Sequence, residues 1–370
     1  MKNVNEANRF NQLVYIRLTE ACNMRCDHCF IPANPKKMSV NDCKKIPEIL
    51  ERISKSGDRI ILQWHGGEPT LFGIHRFQEV LSYLNDSIDD RVIIHGIQTN
   101  LANYDSQWGE LYKRYFQSRI GVSWDYKIRH ARGEAFDSLF GRKVQQLSED
   151  GIDFDLTITV SKPFHDWVLS DPSEFFSFIE KVRPKSLHLE KITKTGNARL
   201  NWPNVGLTNQ QYSNLLSLIY LYSRSWMSVN KDWFDGISPL SDYESDIHSL
   251  VYGGELELRG CTSGVCDTRF HTIDSNGYKF GCTAINSEAD NPAVKEVVSL
   301  ITPKQLESIR EVRVKSCDGC QFIKICNTGC VANTKVDESG ECNGAFTLRN
   351  NILNIIKTNE FDETFRNMQE

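Results

Sequence analysis

Between residues 13 and 190 the chain alternates strand-like and helix-like segments with a period of about 30 residues, and no other feature constrains its fold as tightly. Strand patterns fall at Leu13–Thr19, Arg59–Trp64, Val92–Gln98, Arg119–Ser123, Phe154–Val160 and Ser186–Glu190. Helical patterns lie between them, near 39–56, 74–87, 105–117, 136–149 and 172–182. Ser39 with Asp42 forms a capping box that opens the first helix. Successive βα units joined by right-handed crossovers build a parallel sheet. Their regular spacing points to an α/β fold in which six units curl into a partial (β/α)6 barrel rather than an open sheet.

In a TIM-like barrel the functional groups gather where the strands end. Cys22, Cys26 and Cys29 follow the first strand in a CxxxCxxC spacing. Gly66-Gly67-Glu68-Pro69 follows the second and Gln98-Thr99-Asn100 the third. Ser123 and Asp125 close the fourth strand and Glu190 the sixth. Three thiolates can hold a [4Fe–4S] cluster by three of its irons, leaving the fourth open to a ligand from outside the protein. A closed structural site would take four protein ligands. Gly66 and Gly67 let the backbone approach a ligand with no Cβ in the way, so their N–H and C=O groups can hold an ammonium and a carboxylate.

The chain carries 12 cysteines, and eleven fall in two groups, at 22–29 and at 261–342. The polar start, Met1 to Asn11, holds no apolar core of a signal peptide, and the longest apolar stretch, Leu215 to Tyr222, is too short to span a bilayer. These features predict a cytoplasmic protein, where clustered cysteines bind metal more often than they form disulfides. Cys43 stands alone and reads as a small buried hydrophobe. The net charge of −5 gives no footprint for nucleic acid or an anionic membrane.

Residues 1–200 form the barrel in this reading. Residues 201–260 are a bridging helix and loop: a capping box at Thr208 and Gln211 opens a helix to about 227, and an aromatic, loop-like stretch with Trp233, Phe234, Tyr243 and Tyr252 follows. Residues 261–346 form a cysteine-rich unit, with a hairpin at Asp274-Ser275-Asn276-Gly277 and a short helix after Thr302-Pro303. Residues 347–370 form a C-terminal helix or tail.

CxxxCxxC followed by GGEP resembles the radical S-adenosylmethionine (SAM) superfamily. The resemblance implies that Cys22, Cys26 and Cys29 hold a cluster whose open iron chelates SAM. It implies that Gly66, Gly67 and Glu68 sit against the SAM amino group, and that Gln98, Thr99, Asn100 and Ser123 line the same site. One electron would cleave SAM to methionine and a 5′-deoxyadenosyl radical that abstracts hydrogen from a substrate. The second cysteine group is similar to the SPASM extension of peptide-modifying radical SAM enzymes. By that likeness Cys261, Cys266, Cys282 and Cys330 hold a nearer auxiliary [4Fe–4S] cluster, and Cys317, Cys320, Cys326 and Cys342 an outer one. Three clusters and SAM are thus the implied cofactors. Two four-cysteine zinc sites are the alternative that spacing alone permits.

SPASM proteins mostly modify peptides. Anaerobic sulfatase maturases resemble the chain in cluster layout, but in them an Asp follows the third auxiliary-domain cysteine as general base. Here Thr283 follows Cys282, and Leu101 ends the Gln98-Thr99-Asn100 run where those enzymes have Gly. The segments Ile16–Cys22 and Leu189–Ala198 look most like maturases of ribosomally made peptides (RiPPs), of the cyclophane-forming or darobactin type. That likeness implies an oxidoreductase that joins an aromatic ring to a nearby residue by a C–C or ether bond. Glu190, Asp125, His65 and His188 are its candidate bases. Implied partners are a precursor peptide and a flavodoxin- or ferredoxin-type electron donor. With 21 residues before Cys22, no fused leader-binding domain is expected, so leader recognition falls to a separate protein or to direct binding. Thioether formation and sulfatase-maturase-like chemistry are the enzymatic alternatives. A non-catalytic iron–sulfur or zinc protein for electron transfer or interaction is the other class.

Overall fold

The computed structural model describes residues 10–31, 36–131, 133–256, 261, 266, 268–286 and 303–367. Among them one nine-stranded sheet dominates. Its strands are β1 (Gln12–Thr19), β3 (Arg59–Gly66), β4 (Val92–Thr99), β5 (Arg119–Ser123), β7 (Asp153–Val160), β8 (Ser186–Lys191), β9 (Gly236–Ser238), β10 (Phe270–Asp274) and β11 (Gly277–Phe280). Their order is β11-β10-β1-β3-β4-β5-β7-β8-β9. Only the β10–β11 pair is antiparallel. A two-stranded ribbon, β2 (Met24–Cys26) with β6 (Arg129–Ala131), crosses above it.

The six strands expected from the βα period are all present and in sequence order. Alternate residues along them face helices and are buried, such as Ile60, Leu62 and Trp64 on β3 and Leu156, Ile158 and Val160 on β7. The other face carries Gln63, His65, Gln98, Ser123, Thr157, Thr159, His188 and Glu190, each partly open to solvent though set well inside the molecule. A closed barrel packs this layer with branched aliphatic side chains. Polar, accessible side chains here leave a lined interior instead of a core.

The sheet is wider than the sequence period foretells. Strand β9 adds to β8, and the hairpin expected at 274–277 forms from β10 and β11 and joins the sheet edge, with β10 parallel to β1. Arg17 of β1 donates to Asp274 at 2.7 Å, with both side chains only 2% exposed, and so ties the cysteine-rich part to the barrel. Three helical readings change. Residues 39–56 form two helices, Val40–Cys43 and Ile46–Ile53, broken where Pro47 removes an amide donor. Lys162–Ser170, capped by Ser161, is a helix the pattern does not disclose. The stretch read as loop-like contains the helix Leu240–Tyr252. Both capping boxes form, and Cys43 is buried on its helix. The helix after Pro303 runs to Lys315, while Thr302 lies outside the described residues. The C-terminal helix spans Phe346–Asn367. No helix among the described residues is long and apolar enough to cross a membrane.

Candidate active site

The first cysteine loop is laced to the sheet through backbone. Gly67 and Glu68 donate their amides to the carbonyls of Thr19 and Ala21, at 2.7 and 2.9 Å. A Cβ on Gly66 would lie 2.1 Å from the Thr19 carbonyl oxygen, and one on Gly67 would lie 2.2 Å from that of Ala21. The two glycines are therefore required first by the approach of chain to chain. From the other side Asn197 donates its amide to the Cys29 carbonyl (2.8 Å) and its side chain to the Cys26 carbonyl (3.0 Å). Asn201, one helical turn on, donates to the Asp27 carbonyl at 3.1 Å. These contacts give a physical role to the end of the Leu189–Ala198 segment.

Glu68 does not face the interior. Its carboxylate, 1% exposed, accepts from the Thr70 amide (3.1 Å), the hydroxyls of Thr70 and Thr99 (2.7 and 2.8 Å) and the Asn100 amide (2.9 Å). It pins the end of β3 to the end of β4, and burial raises its pKa against those four donors. Asn100 also donates to Asn23 at 2.8 Å and points toward Cys22 Sγ at 3.9 Å. Gln98 and Ser123 do face the interior and are joined at 2.8 Å.

Asp125 is enclosed. Arg129 donates to it twice, His28 Nε2 lies 3.4 Å away, and the Thr159 amide donates at 2.7 Å. Burial would raise its pKa, but Arg129, His28 and the amide together hold it below the usual carboxylate range. Both oxygens are engaged, Oδ1 by the Thr159 amide and Oδ2 by Arg129 with His28 beside it, so the geometry gives Asp125 a part in holding the loop. Arg129 stands directly across the β2–β6 ladder from Cys26. His65 accepts the Gly66 amide on Nδ1 at 2.8 Å, and burial pushes its pKa down to about 4. It is a neutral imidazole beside Tyr15 and Phe30.

Glu190 differs from both. It is 48% exposed and 2.7 Å from His188 Nε2, itself 42% exposed. Burial works to lower the His188 pKa, yet the Glu190 carboxylate raises it overall. The Glu190 charge also adds to the burial that raises Tyr15, Cys261 and Cys282. The Glu190 charge is thus felt both by Tyr15 of β1 and by the second cysteine group. Next to it, Lys191 donates to Asn209 at 2.7 Å and reaches the Asn343 carbonyl at 3.5 Å.

The second cysteine group divides in two. Cys266, Cys282 and Cys330 join one small apolar cluster with Phe270, Ile285 and Val331, and Cys261 is coupled electrostatically to all three. Cys317, Cys320, Cys326 and Cys342 line a separate cavity of about 30 Å³. A Cβ on Gly344 would lie 2.4 Å from Cys326 Sγ there. Four thiols around a space kept open by a glycine fit the donor set of a four-cysteine cluster.

Arg129, Asn197, Asn201, Lys191, Arg310 and Arg349 all touch these sites, and the sequence pattern singles out none as a site residue. Asn197 and Asn201 had a signal in their i, i+4 spacing next to a distinctive segment. Arg129 had one as well, lying four residues after Asp125, whereas Arg310 and Arg349 had none, since Arg310 reaches the Asn327 carbonyl and Cys266 Sγ and Arg349 the Gly344 carbonyl.

Residues 16–126 match the model of the Radical SAM superfamily. The chain carries a radical SAM domain and is an enzyme of that class. It is 22% identical over 336 residues to a cysteine-type anaerobic sulfatase-maturating enzyme of Clostridium novyi, covering 84% of this chain and 85% of that one. A serine-type enzyme of Klebsiella pneumoniae is 21% identical over 356 residues, covering 90% and 85%. Among solved structures, anSMEcpe with bound AdoMet and Kp18Cys peptide superposes with a TM-score of 0.69 at 15% identity, over 96% of this chain and 99% of that one. Streptococcus suis SuiB bound to precursor peptide SuiA superposes at 0.57 and 15% identity, over 87% and 72%. These structural likenesses establish the shared fold.

Proposed function

We propose that the chain is a cytoplasmic radical SAM maturase that crosslinks an aromatic side chain within a ribosomally made precursor peptide, with Glu190 as the proton acceptor. When bound to Cys22, Cys26 and Cys29, a [4Fe–4S] cluster with SAM supplies the radical that removes hydrogen. The backbone of Gly66 and Gly67 borders the cysteine loop and would meet the SAM amino group, while Gln98 and Ser123 line the interior beyond. Glu68, Asp125, Arg129, Asn197 and Asn201 hold the loop in place. Tyr15 and His65 border the space between the loop and Glu190. Adding a carbon radical to a ring leaves one proton to remove, and Glu190 with His188, both exposed and 2.7 Å apart, is the acid–base pair assigned to that step. Cys261, Cys266, Cys282 and Cys330, and then Cys317, Cys320, Cys326 and Cys342, would hold the groups that take up the electron. A flavodoxin- or ferredoxin-type donor and a separate leader-binding protein complete the proposed partners.

The observation that carries this reading is the Glu190–His188 pair in the interior, combined with Thr283 where sulfatase maturases place their base. The relatives' activities and the extent of the match favour a second reading, sulfatase maturation, in which the same pair would serve another side chain. A short peptide encoded beside this gene, with a C-terminal aromatic-rich core, is the substrate to incubate. Loss of a hydrogen pair without a new bond to sulfur is expected. Glu190→Gln should keep 5′-deoxyadenosine formation while product falls by about 10²–10⁴-fold. His188 has a raised pKa, so the charged pair persists below it and its acceptor capacity recovers as pH rises through it. Product formation should rise over that window, and His188→Gln should remove the inflection. Equal loss of 5′-deoxyadenosine and product in Glu190→Gln, or conversion of a sulfatase peptide instead, would overturn the proposal.

A further inference from the structure

Two neutral rings on neighbouring strands keep a polar atom to spare. His65, on β3, accepts the Gly66 amide on Nδ1 at 2.8 Å. A neutral imidazole carries its one proton on the other nitrogen, so Nε2 is an N–H donor. Burial keeps the ring neutral, helped by Arg17, which stands across the β1–β3 ladder from it. Tyr15, on β1, meets the His65 ring edge-on, with 6.1 Å between centroids. Burial raises its pKa, so its hydroxyl keeps a proton to donate. Among the described residues neither His65 Nε2 nor the Tyr15 hydroxyl has a hydrogen-bond partner, and both side chains are partly open. The rings themselves are held. Phe30, the residue after Cys29, lies 6.0 Å from His65, and Phe270 of β10 lies 6.0 Å from Tyr15. Two donors are thus fixed in place, deep in the molecule, with nothing to donate to, and such groups call for a partner.

We propose that His65 Nε2–H and the Tyr15 hydroxyl form a subsite that binds a main-chain carbonyl of the peptide substrate. The inference rests on the reading of the chain as a peptide maturase. The charges around the two rings select the acceptor. The Glu190 carboxylate acts on both of them and opposes an anion placed there. The Arg17 guanidinium is already engaged, by Asp274 at 2.7 Å and Glu20 at 3.7 Å. A neutral oxygen is the ligand that remains, and a peptide offers one at every residue. Because His65 touches Phe30, a carbonyl held here lies beside the first cysteine loop. Holding it would fix which side chain of the peptide meets that loop. His65 is on this account a donor to substrate, and not the base that its place before Gly66 suggests.

The test uses the full chain and a fluorescently labelled copy of the short aromatic-rich peptide encoded beside this gene, with Kd read by anisotropy next to KM and kcat. Tyr15→Phe removes only a hydroxyl. His65→Leu removes the ring donor, and His65→Gln keeps an N–H in its place. Tyr15→Phe and His65→Leu should each weaken peptide binding about tenfold, the loss of one hydrogen bond, while kcat falls far less than kcat/KM. His65→Gln should recover most of the affinity. In a scan of single thioamide exchanges along the peptide, one position should weaken binding to the parent and cost nothing further in His65→Leu. Tyr15→Phe with an unmoved Kd would overturn the inference, whether or not His65→Leu folds. So would His65→Gln binding as poorly as His65→Leu, a kcat that falls in step with kcat/KM, or an equal loss of SAM affinity in the same variants. A parent that binds a sulfatase-derived peptide instead, with the same losses in the variants, would overturn the crosslinking reading and uphold the subsite. A parent that binds neither peptide would overturn both.

Discussion

The two cysteine-bearing regions are built by opposite means. The loop at 22–29 is held by a parallel sheet that exists without it. Thr19 and Ala21 are sewn to Gly67 and Glu68, Cys26 pairs in a ladder with Arg129, and two asparagines grip the far side. Among its described residues, the region beyond Cys261 has one short hairpin on the sheet edge, and side chains reach out to hold irregular backbone. Arg313 donates to the carbonyls of Cys330, Val331 and Asn333, and Asn343 donates to those of Cys330 and Asn333. The first site is thus pre-formed, as a site that must direct a reactive species has to be. The second draws more of its order from whatever its cysteines bind, because ligand binding there is also folding energy.

The largest expected effects separate these two regimes. If the eleven grouped cysteines hold three clusters, replacing Cys22, Cys26 and Cys29 by Ala should abolish SAM cleavage and lower iron from about twelve to about eight per chain. The thermal midpoint of the barrel should hardly move. Replacing Cys317, Cys320, Cys326 and Cys342 by Ser should instead collapse the C-terminal part, read as a large fall in midpoint and rapid proteolysis after Cys261. Equal midpoints for the two variants would break the comparison.

A smaller effect distinguishes the charges that hold each region. Asp125→Ala strands Arg129 and the His28 ring in a buried space and should cost about 3–5 kcal/mol in denaturant unfolding. Glu341, in the C-terminal part, is 7% exposed and accepts from Ser213 and from the amide and hydroxyl of Thr347. These donors are neutral, so Glu341→Gln should cost only about 1 kcal/mol. A cost for Glu341→Gln as large as that for Asp125→Ala would show that the C-terminal part is as charge-locked as the loop.

What the sequence discloses follows the same division. The βα period, both capping boxes and the strand-end placement of Cys22, Gly66 and Glu190 are local patterns, and local patterns can be read from a chain. Strand β10 joining β1 is a contact across more than 250 residues, sealed by Arg17 and Asp274, and no periodicity encodes it. Glu68 and Asp125 were legible as strand-end carboxylates but not as consumed ones. Whether a carboxylate is free depends on donors such as Asn100 and Arg129, which only the fold brings near. Glu190 was legible as a strand-end carboxylate, and the fold leaves it exposed beside His188, two residues away on the same strand.

The smallest effect is a slope with pH, and it sets the barrel against its seam with the C-terminal part. His95, behind β4, accepts the Trp64 indole N–H on Nδ1 at 3.1 Å and faces Asn85 from Nε2 at 3.0 Å. His271, on β10, lies 3.0 Å from the Tyr278 hydroxyl and 2.9 Å from Gln12 of β1. Burial lowers both to about 4. The unfolded chain therefore binds protons that the folded chain refuses between about pH 6.5 and pH 4. Neither ring contributes to the slope above that window, and within it each should remove up to about 1.4 kcal/mol of stability per pH unit of acidification. Protonating His95 also turns a proton toward the indole N–H that donates to it. His95→Gln should flatten the acid limb measured on the barrel. His271→Gln should flatten the limb measured by proteolysis of the β10–β11 hairpin and leave the barrel's acid limb as it was. If both substitutions flatten both limbs alike, the seam transmits unfolding completely and the two regions melt as one.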